Sequence, residues 1–381
     1  MRSQLSVTLS VILLSTFSGL VQATICAVPS AGNLSVSDVP AIKAAFASCG
    51  NGGIIQFPAG KTYAINELLK IQGCNGCEVQ LDGTLKLSAN ITLWDARAQP
   101  FAFQASYLAI IVDGAKNMKF HSPTGKGLID GSGQAWYDKA PSIRPVLFTT
   151  ANSTGVTYDH IKMINSPMWF NLVTDSSYIT FTNTVLNATS SSSKAPKNTD
   201  GFDISFKPNS TDITVKNAVM LGSHGVSVGS IAQYPGIYDI IQNIWVQNVT
   251  FANGLDGTKS ENGVRIKSWP GGYGSGMVKN VTYQDITVSD VSKPVIIDSC
   301  YMKDDSYCAS HPAQVSITDV HINNVKGTSA SNTVVDLECT PKADCYIYMK
   351  NISIIPTKGA AKYVCTNLSD PSDVGIPCSS S

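Results

Sequence analysis

Ile244-Trp-Val-Gln-Asn-Val-Thr-Phe251 and Val281-Thr-Tyr-Gln-Asp-Ile-Thr-Val288 follow one pattern. Apolar and polar residues alternate, and an Asn or Asp stands near the middle. A period of two marks a strand with one buried face, and the central Asn or Asp marks a turn. Outward from there the pattern recurs at 156–165, 179–187 and 213–220, and again at 315–322 and 346–354. Starts roughly 20–40 residues apart indicate stacked repeats, each burying its apolar face against its neighbours. β-Branched residues dominate, so the expected fold is all-β, a single solenoid of parallel coils. Its irregular spacing argues against a propeller or a sandwich, because a loop can bulge from one coil without disturbing the next. Only 39–48 carries a helical period, with Ser37-Asp38 as its cap and Val39, Ile42, Ala45 and Phe46 along one face. Such a helix would cover the open N-terminal end of the stack, where a bare sheet edge invites aggregation.

The chain opens on a different kind of segment. A basic start, Met1-Arg2-Ser3, leads into an almost uncharged run over 5–20 and then Val21-Gln22-Ala23. This reads as a secretory signal (1–23), leaving 24–381 as one domain. Read as a membrane anchor, the run is short and lacks a stop-transfer pattern, and no later stretch would cross a bilayer. Lys+Arg and Asp+Glu number 27 each, so the net charge is zero, and only 14% of residues are charged. No basic run points to nucleic acid, so binding of a charged polymer has to come from a local cluster.

Ten cysteines all follow the signal. An even count in an exported chain indicates five disulfides, here expected as Cys26–Cys49, Cys74–Cys77, Cys300–Cys308, Cys339–Cys345 and Cys365–Cys378. The rival reading of Cys74-Asn-Gly-Cys77 is half a zinc site, but no second pair stands at zinc spacing, and no metal is expected. Nine Asn-x-Ser/Thr sequons, at Asn33, Asn90, Asn152, Asn187, Asn209, Asn248, Asn280, Asn351 and Asn367, lead to expected glycosylation at several solvent-facing positions.

Three segments carry the candidate chemistry: Asn198-Thr-Asp-Gly-Phe-Asp203, Gly222-Ser-His-Gly-Val-Ser-Val-Gly229 and Val264-Arg-Ile-Lys-Ser-Trp-Pro270. Each opens a strand in consecutive repeats, so they should lie side by side on one face. Together they bring two carboxylates, a His, an Arg and a Lys. One carboxyl group can protonate a leaving oxygen, another can activate water, and the cations can hold an acidic sugar. Taken singly, Asp200 and Asp203 read as turn caps, His224 as a loop histidine, and Arg265 and Lys267 as a solvated strand face. The combination is what points to hydrolysis.

NTDGFDI, GSHGVSVGS and VRIKSW resemble the signature motifs of the polygalacturonases, glycoside hydrolase family 28, and the similarity runs from about Thr24 to Cys378. The longer forms GSHGVSVGSIAQY and RIKSWPGG are most similar to the fungal exo-acting enzymes. The resemblance implies a right-handed parallel β-helix (the pectin-lyase-like solenoid) with no metal or organic cofactor. It also implies inverting hydrolysis, with terminal galacturonate released from polygalacturonate or pectin oligosaccharides by a secreted monomer. On this resemblance Asp200 and His224 are catalytic. Arg265, Lys267 and a tyrosine mapped to Tyr301 bind substrate, and Asn198 shapes the site.

One piece of the family pattern is missing. Relatives carry Asp-Asp-Cys between the NTD and GHG motifs, and one of those aspartates is their proposed general acid. No Asp-Asp lies between Asp200 and His224 here. The position of the partner cysteine is Met220, so both halves of that disulfide are gone. The spacing suggests that one whole coil has been lost, which would keep the neighbouring strands in register, whereas half a coil would invert them. Asp203, Asp256 and Glu261 are the candidate substitute carboxylates. Asp203, three residues past Asp200, should face the opposite side unless a bend turns it back. Without a substitute, hydrolysis should fall to a trace, leaving a pectin-binding relative. A rhamnogalacturonan-directed exo-hydrolase is the remaining alternative.

Overall fold

The computed structural model describes residues 23–97, 100–101, 106–204 and 209–379, so residues 1–22 of the expected signal lie outside the described residues. The turn residues of the repeats set the architecture. Asn183, Asn217, Asn248, Asp285, Asn324 and Asn351 all sit in the left-handed region, with φ between 51° and 59°. Among residues with a side chain, Asn and Asp reach that region at least cost, so each bends the chain between two strand arms. Their side chains form a ladder along the stack. Asn217 donates to Asn183, Asn248 to Asn217, Asn324 to Asp285 and Asn351 to Asn324, at 2.8–3.2 Å.

Among the described residues the strands form one sheet of sixteen and one of eleven. Apart from Pro100–Phe101 against Ser106–Asp113, the strands pair in parallel. The fold is the expected right-handed parallel β-helix. Equivalent positions stack in columns: Val156, Ile179, Ile213, Ile244, Val281, Val320 and Ile347 are consecutive partners and all buried. The pairing sets Val320, not Val315, opposite Val281. The repeat at 315–322 thus begins one arm early, because both arms of a coil alternate and alternation alone cannot tell them apart.

The eleven-stranded sheet positions the site. Strands Asn171–Thr174, Phe202–Ile204, Val226–Ile231, Asn262–Ser268 and Lys293–Asp298 lie side by side. Phe202–Ile204 pairs directly with Val226–Ile231, Phe202 opposite Val226 and Ile204 opposite Val228. The register therefore runs unbroken from Asn171–Thr174 through Phe202–Ile204 to Val226–Ile231. Met220 is fully buried there, and a Cβ on Gly201 would come within 2.4 Å of its sulfur.

Helix Val39–Cys49 packs against the first coils as expected, burying Val39, Ile42, Ala45, Phe46 and Cys49. Its cap follows the expectation only in part, with Ser37 Oγ accepting from the Val39 amide at 3.4 Å. The Asp38 carboxylate accepts from the Ala31 and Ala64 amides, tying the helix entry to the first coils and leaving the helix N–H groups aside. Three helices escaped the sequence reading: Ile91–Arg97, Gln134–Lys139 and Asp305–Ser310. At six or seven residues they are too short to display a helical period. All five expected disulfides are present, which disposes of the zinc reading of Cys74 and Cys77. Eight of the sequon asparagines are exposed, while Asn187 is half-buried. No described helix is long and apolar enough to cross a membrane.

Candidate active site

Gly-rich turns deliver the site residues. Asp200 precedes its strand, in the bend that Gly201 allows, and Asp203 follows on the outward face of Phe202–Ile204. That bend turns both carboxylates into one trough, so Asp203 does not face away as its spacing suggested. In the next coil His224 stands on a turn flanked by Gly222 and Gly225, both with positive φ. The turn is held from both sides: the His224 amide donates to Thr199 O, and the Glu261 amide donates to Ser223 O. Ser227, Arg265 and Asp203 occupy one row across the sheet, and Lys267 lies two residues on along the same face as Arg265.

Asp200 is the hub. Its Oδ1 lies 3.6 Å from His224 Nδ1, and its Oδ2 lies 3.4 Å from Lys267 Nζ and 3.6 Å from Arg265 Nη1. Ser227 Oγ donates to the same Oδ2 at 3.4 Å. Lys267 Nζ also approaches Asp203 Oδ1 at 2.8 Å. The Tyr301 ring lies 5.3 Å from both the Arg265 guanidinium and the Lys267 ammonium, and Trp169 lies 5.6 Å from Lys267. Such contacts let an aromatic face hold a cation in place. Asn198 sits at the edge, its Oδ1 accepting from Arg144 at 2.5 Å.

Asp200, Asp203 and Lys267 are at most 2% exposed, so their charges depend on one another. Burial alone would raise the Asp200 pKa, but Lys267, His224 and Arg265 outweigh it and hold the carboxyl below its ordinary value. Asp203 goes the other way. Burial first, and the nearby Asp200 charge as well, push it up to about 7 against the pull of Lys267. Burial would lower Lys267, yet Asp203 and Asp200 raise it. Below about pH 7 the trough floor thus holds one ionised and one protonated carboxyl group joined by an ammonium.

The candidate substitutes separate clearly. Asp256 is a loop staple, accepting from the Ser190 amide, the Thr258 amide and Thr258 Oγ1. These three bonds tie its carboxylate into the loop. Glu261 meets His224 Nε2 at 3.3 Å, on the ring edge opposite Asp200, with a side chain 48% exposed. His224 therefore stands between an interior carboxylate and one that solvent reaches. Sequence reasoning missed Ser227, Trp169 and Arg144. Ser227 was legible as the residue across the ladder from Arg265, whereas Trp169 and Arg144 carry no local signal.

The profile of "Glycosyl hydrolases family 28" matches residues 49–220 and 204–378. The chain belongs to that family. The two matches overlap over 204–220. Among curated relatives, the probable endo-xylogalacturonan hydrolase A of Neosartorya fischeri is 35% identical, with 93% of this chain and 90% of the relative aligned. The probable exopolygalacturonase B of Aspergillus terreus is 36% identical, with 87% and 82% aligned. Among solved structures, the endo-xylogalacturonan hydrolase of Aspergillus tubingensis superposes with a TM-score of 0.78 at 31% identity, covering 94% of this chain and 99% of that one.

Proposed function

We propose that this family 28 protein is a secreted, glycosylated monomer that hydrolyses the galacturonate backbone of pectin. It releases terminal galacturonate with inversion, at a rate reduced by the absent coil. Secretion rests on the segment 1–23 and the five disulfides. The observation that carries the functional reading is the convergence of His224, Arg265 and Lys267 on one Asp200 carboxylate. In this reading Arg265, with Tyr301 beside it, holds the sugar carboxylate, and Asn198 orders the edge of the trough.

For the chemistry, Asp200 stays ionised and prepares the attacking water, while Glu261 supplies the proton to the leaving oxygen. Lys267 joins Asp203 to Asp200, and the two together set the charge of Asp200. Inverting hydrolysis requires carboxyl groups about 6.5–9.5 Å apart. That spacing is open to Asp200 and Glu261, which flank an imidazole. It is closed to Asp200 and Asp203, whose oxygens meet on a single ammonium at 3.4 and 2.8 Å.

A second reading, internal cleavage of xylose-bearing galacturonan, is favoured by the similarity to the endo-xylogalacturonan hydrolases. Sizing the products from polygalacturonate and from xylogalacturonan separates the two. Monomer from the first minutes on polygalacturonate supports exo action. A ladder of oligomers from xylogalacturonan supports the second reading. Binding to both polymers with no new reducing ends would leave a pectin-binding relative without catalysis.

A further inference from the structure

Two disulfide-closed loops meet past the C-terminal side of the trough. Cys300–Cys308 closes the loop after strand Lys293–Asp298, and Cys339–Cys345 closes the loop after Thr333–Glu338. Between them is a hollow of about 160 Å³ lined by Ser299, Asp305 and Glu338, room for an ion and a few waters. The register brings further acid. Asp298 is the direct partner of Glu338, and Asp336 stands two residues earlier on the same outward face. Asp305 and Glu338 offer oxygens within 4.8 Å of each other. Two oxygens on one calcium ion can be at most about 5 Å apart, twice a bond of 2.3–2.6 Å.

These four carboxyl groups lack a counter-charge from the protein. Among the described residues, none has a Lys, Arg or His within ion-pair distance. Burial first, then the charges of Asp298, Asp305 and Asp336, push Glu338 up to about 7. Burial raises Asp298 and Asp336 as well, against the pull of Lys293. A cation among them would let them ionise together. A second observation is independent of charge. Ser299, at the wall of the same hollow, is 6% exposed, and its hydroxyl has no hydrogen-bond partner. Buried polar groups are normally satisfied, so an open oxygen there marks a place for a ligand. The donor set is oxygen only, because the Cys300 sulfur is bound in its disulfide. Oxygen donors suit a hard cation, not zinc or copper. Ligands carried irregularly on two loops suit calcium better than magnesium, which demands a near-ideal octahedron.

We propose that this hollow is a calcium site that ties the loop of Asp305 to the coil of Glu338. Asp305, Glu338 and the Ser299 hydroxyl are its protein ligands, and Asp298 and Asp336 add charge at longer range. The ion takes no part in hydrolysis. It steadies the loop that begins at Ser299 and carries Tyr301, whose ring faces Arg265 and Lys267 in the trough. The proposal does not depend on the galacturonan reading, and its test uses no substrate. After treatment with a chelator, calcium chloride is titrated into the intact protein by calorimetry above pH 7, where Glu338 has given up its proton. One site with a Kd of about 10⁻⁴–10⁻³ M is expected, the range of extracellular calcium modules. Asp305→Asn and Glu338→Gln should each weaken binding at least about tenfold, the cost of losing even an outer partner of a metal. Ser299→Ala should weaken it too, which keeps the test decisive should a carboxyl variant misfold. Saturating calcium should slow amide exchange across 299–310 in the wild type and leave Glu338→Gln unchanged. No heat with calcium overturns the site. Equal affinity in all three variants marks an adventitious ion only and overturns it as well, and magnesium binding as tightly as calcium overturns the choice of ion.

Discussion

At the residue scale, Asp200 and Asp203 are chemically alike and electrostatically opposite. Among the described residues, Asp200 has three cationic or ionisable partners within 3.6 Å, while Asp203 pairs with Lys267 only. Replacing Asp200 with Asn should lower kcat by at least about 10²-fold, since Asn cannot activate water. Below about pH 7 Asp203→Asn should change kcat little, because Asn resembles the protonated form that prevails there. Stability supplies a second readout. An unfolded Asp ionises near 3.8, but folded Asp203 keeps its proton until about 7. The folded state therefore binds more protons in between, and the wild type loses stability as pH rises through that window. The Asn variant lacks this loss, so its melting temperature should gain on the wild type from pH 4 to 7. A constant difference across that range would remove the charge assignment. Glu261→Gln should lower kcat by about 10²–10⁴-fold with KM nearly unchanged, as expected for a lost proton donor. Full activity of that variant in a steady-state assay would exclude Glu261 from the chemistry.

At the element scale, the sequence disclosed the strands and hid how they bend. Alternation located the arms, and the Asn and Asp turns located the corners. The motif residues Asp200, His224, Arg265 and Lys267 could accordingly be placed on neighbouring coils before any coordinates. The orientation of Asp203 was not legible, since it depends on strand Phe202–Ile204 starting after Gly201 instead of at Asp200. The loop bonds of Asp256 were hidden for a related reason: proximity in sequence does not reveal what a loop carboxylate already holds. Gly225 shows how strictly the elements are seated. Its φ is +85°, and a Cβ there would lie 2.3 Å from Gly263 O on the adjoining strand. Gly60 has a similar φ of +74° but open space around it. The backbone strain common to both should cost about 1–3 kcal/mol. Gly225→Ala adds a collision with main chain that cannot rotate away, so it should melt well below Gly60→Ala and lose activity as His224 moves. Equal melting temperatures for the two variants would show that the strands separate more easily than the packing implies.

At the scale of the whole molecule, the stack is close to one-dimensional. Each coil is held by its two neighbours, and the terminal coils have only one. The disulfides follow that logic, with Cys26–Cys49 and Cys74–Cys77 at one end and Cys300–Cys308, Cys339–Cys345 and Cys365–Cys378 toward the other. The strands that carry Asp200, His224, Arg265 and Lys267 lie between, and only Tyr301, beside Cys300–Cys308, ties the candidate trough to a disulfide. The same nearest-neighbour logic keeps the stack continuous beside the candidate site: Ile179, Ile213 and Ile244 pair in an unbroken column. It also yields a prediction about where unfolding begins. Replacing Cys365 and Cys378 with Ala opens a link with a sequence separation of 13 and should cost roughly 3 kcal/mol, the value for a loop of that size. The loss should stay local. Hydrogen exchange should accelerate in strands Lys362–Thr366 and Cys345–Pro356, while Asn262–Ser268 keeps its protection and the rate of hydrolysis at 25 °C is unchanged. If exchange instead rises evenly along the chain, the coils unfold as one cooperative body, and the end disulfides stabilise the trough directly.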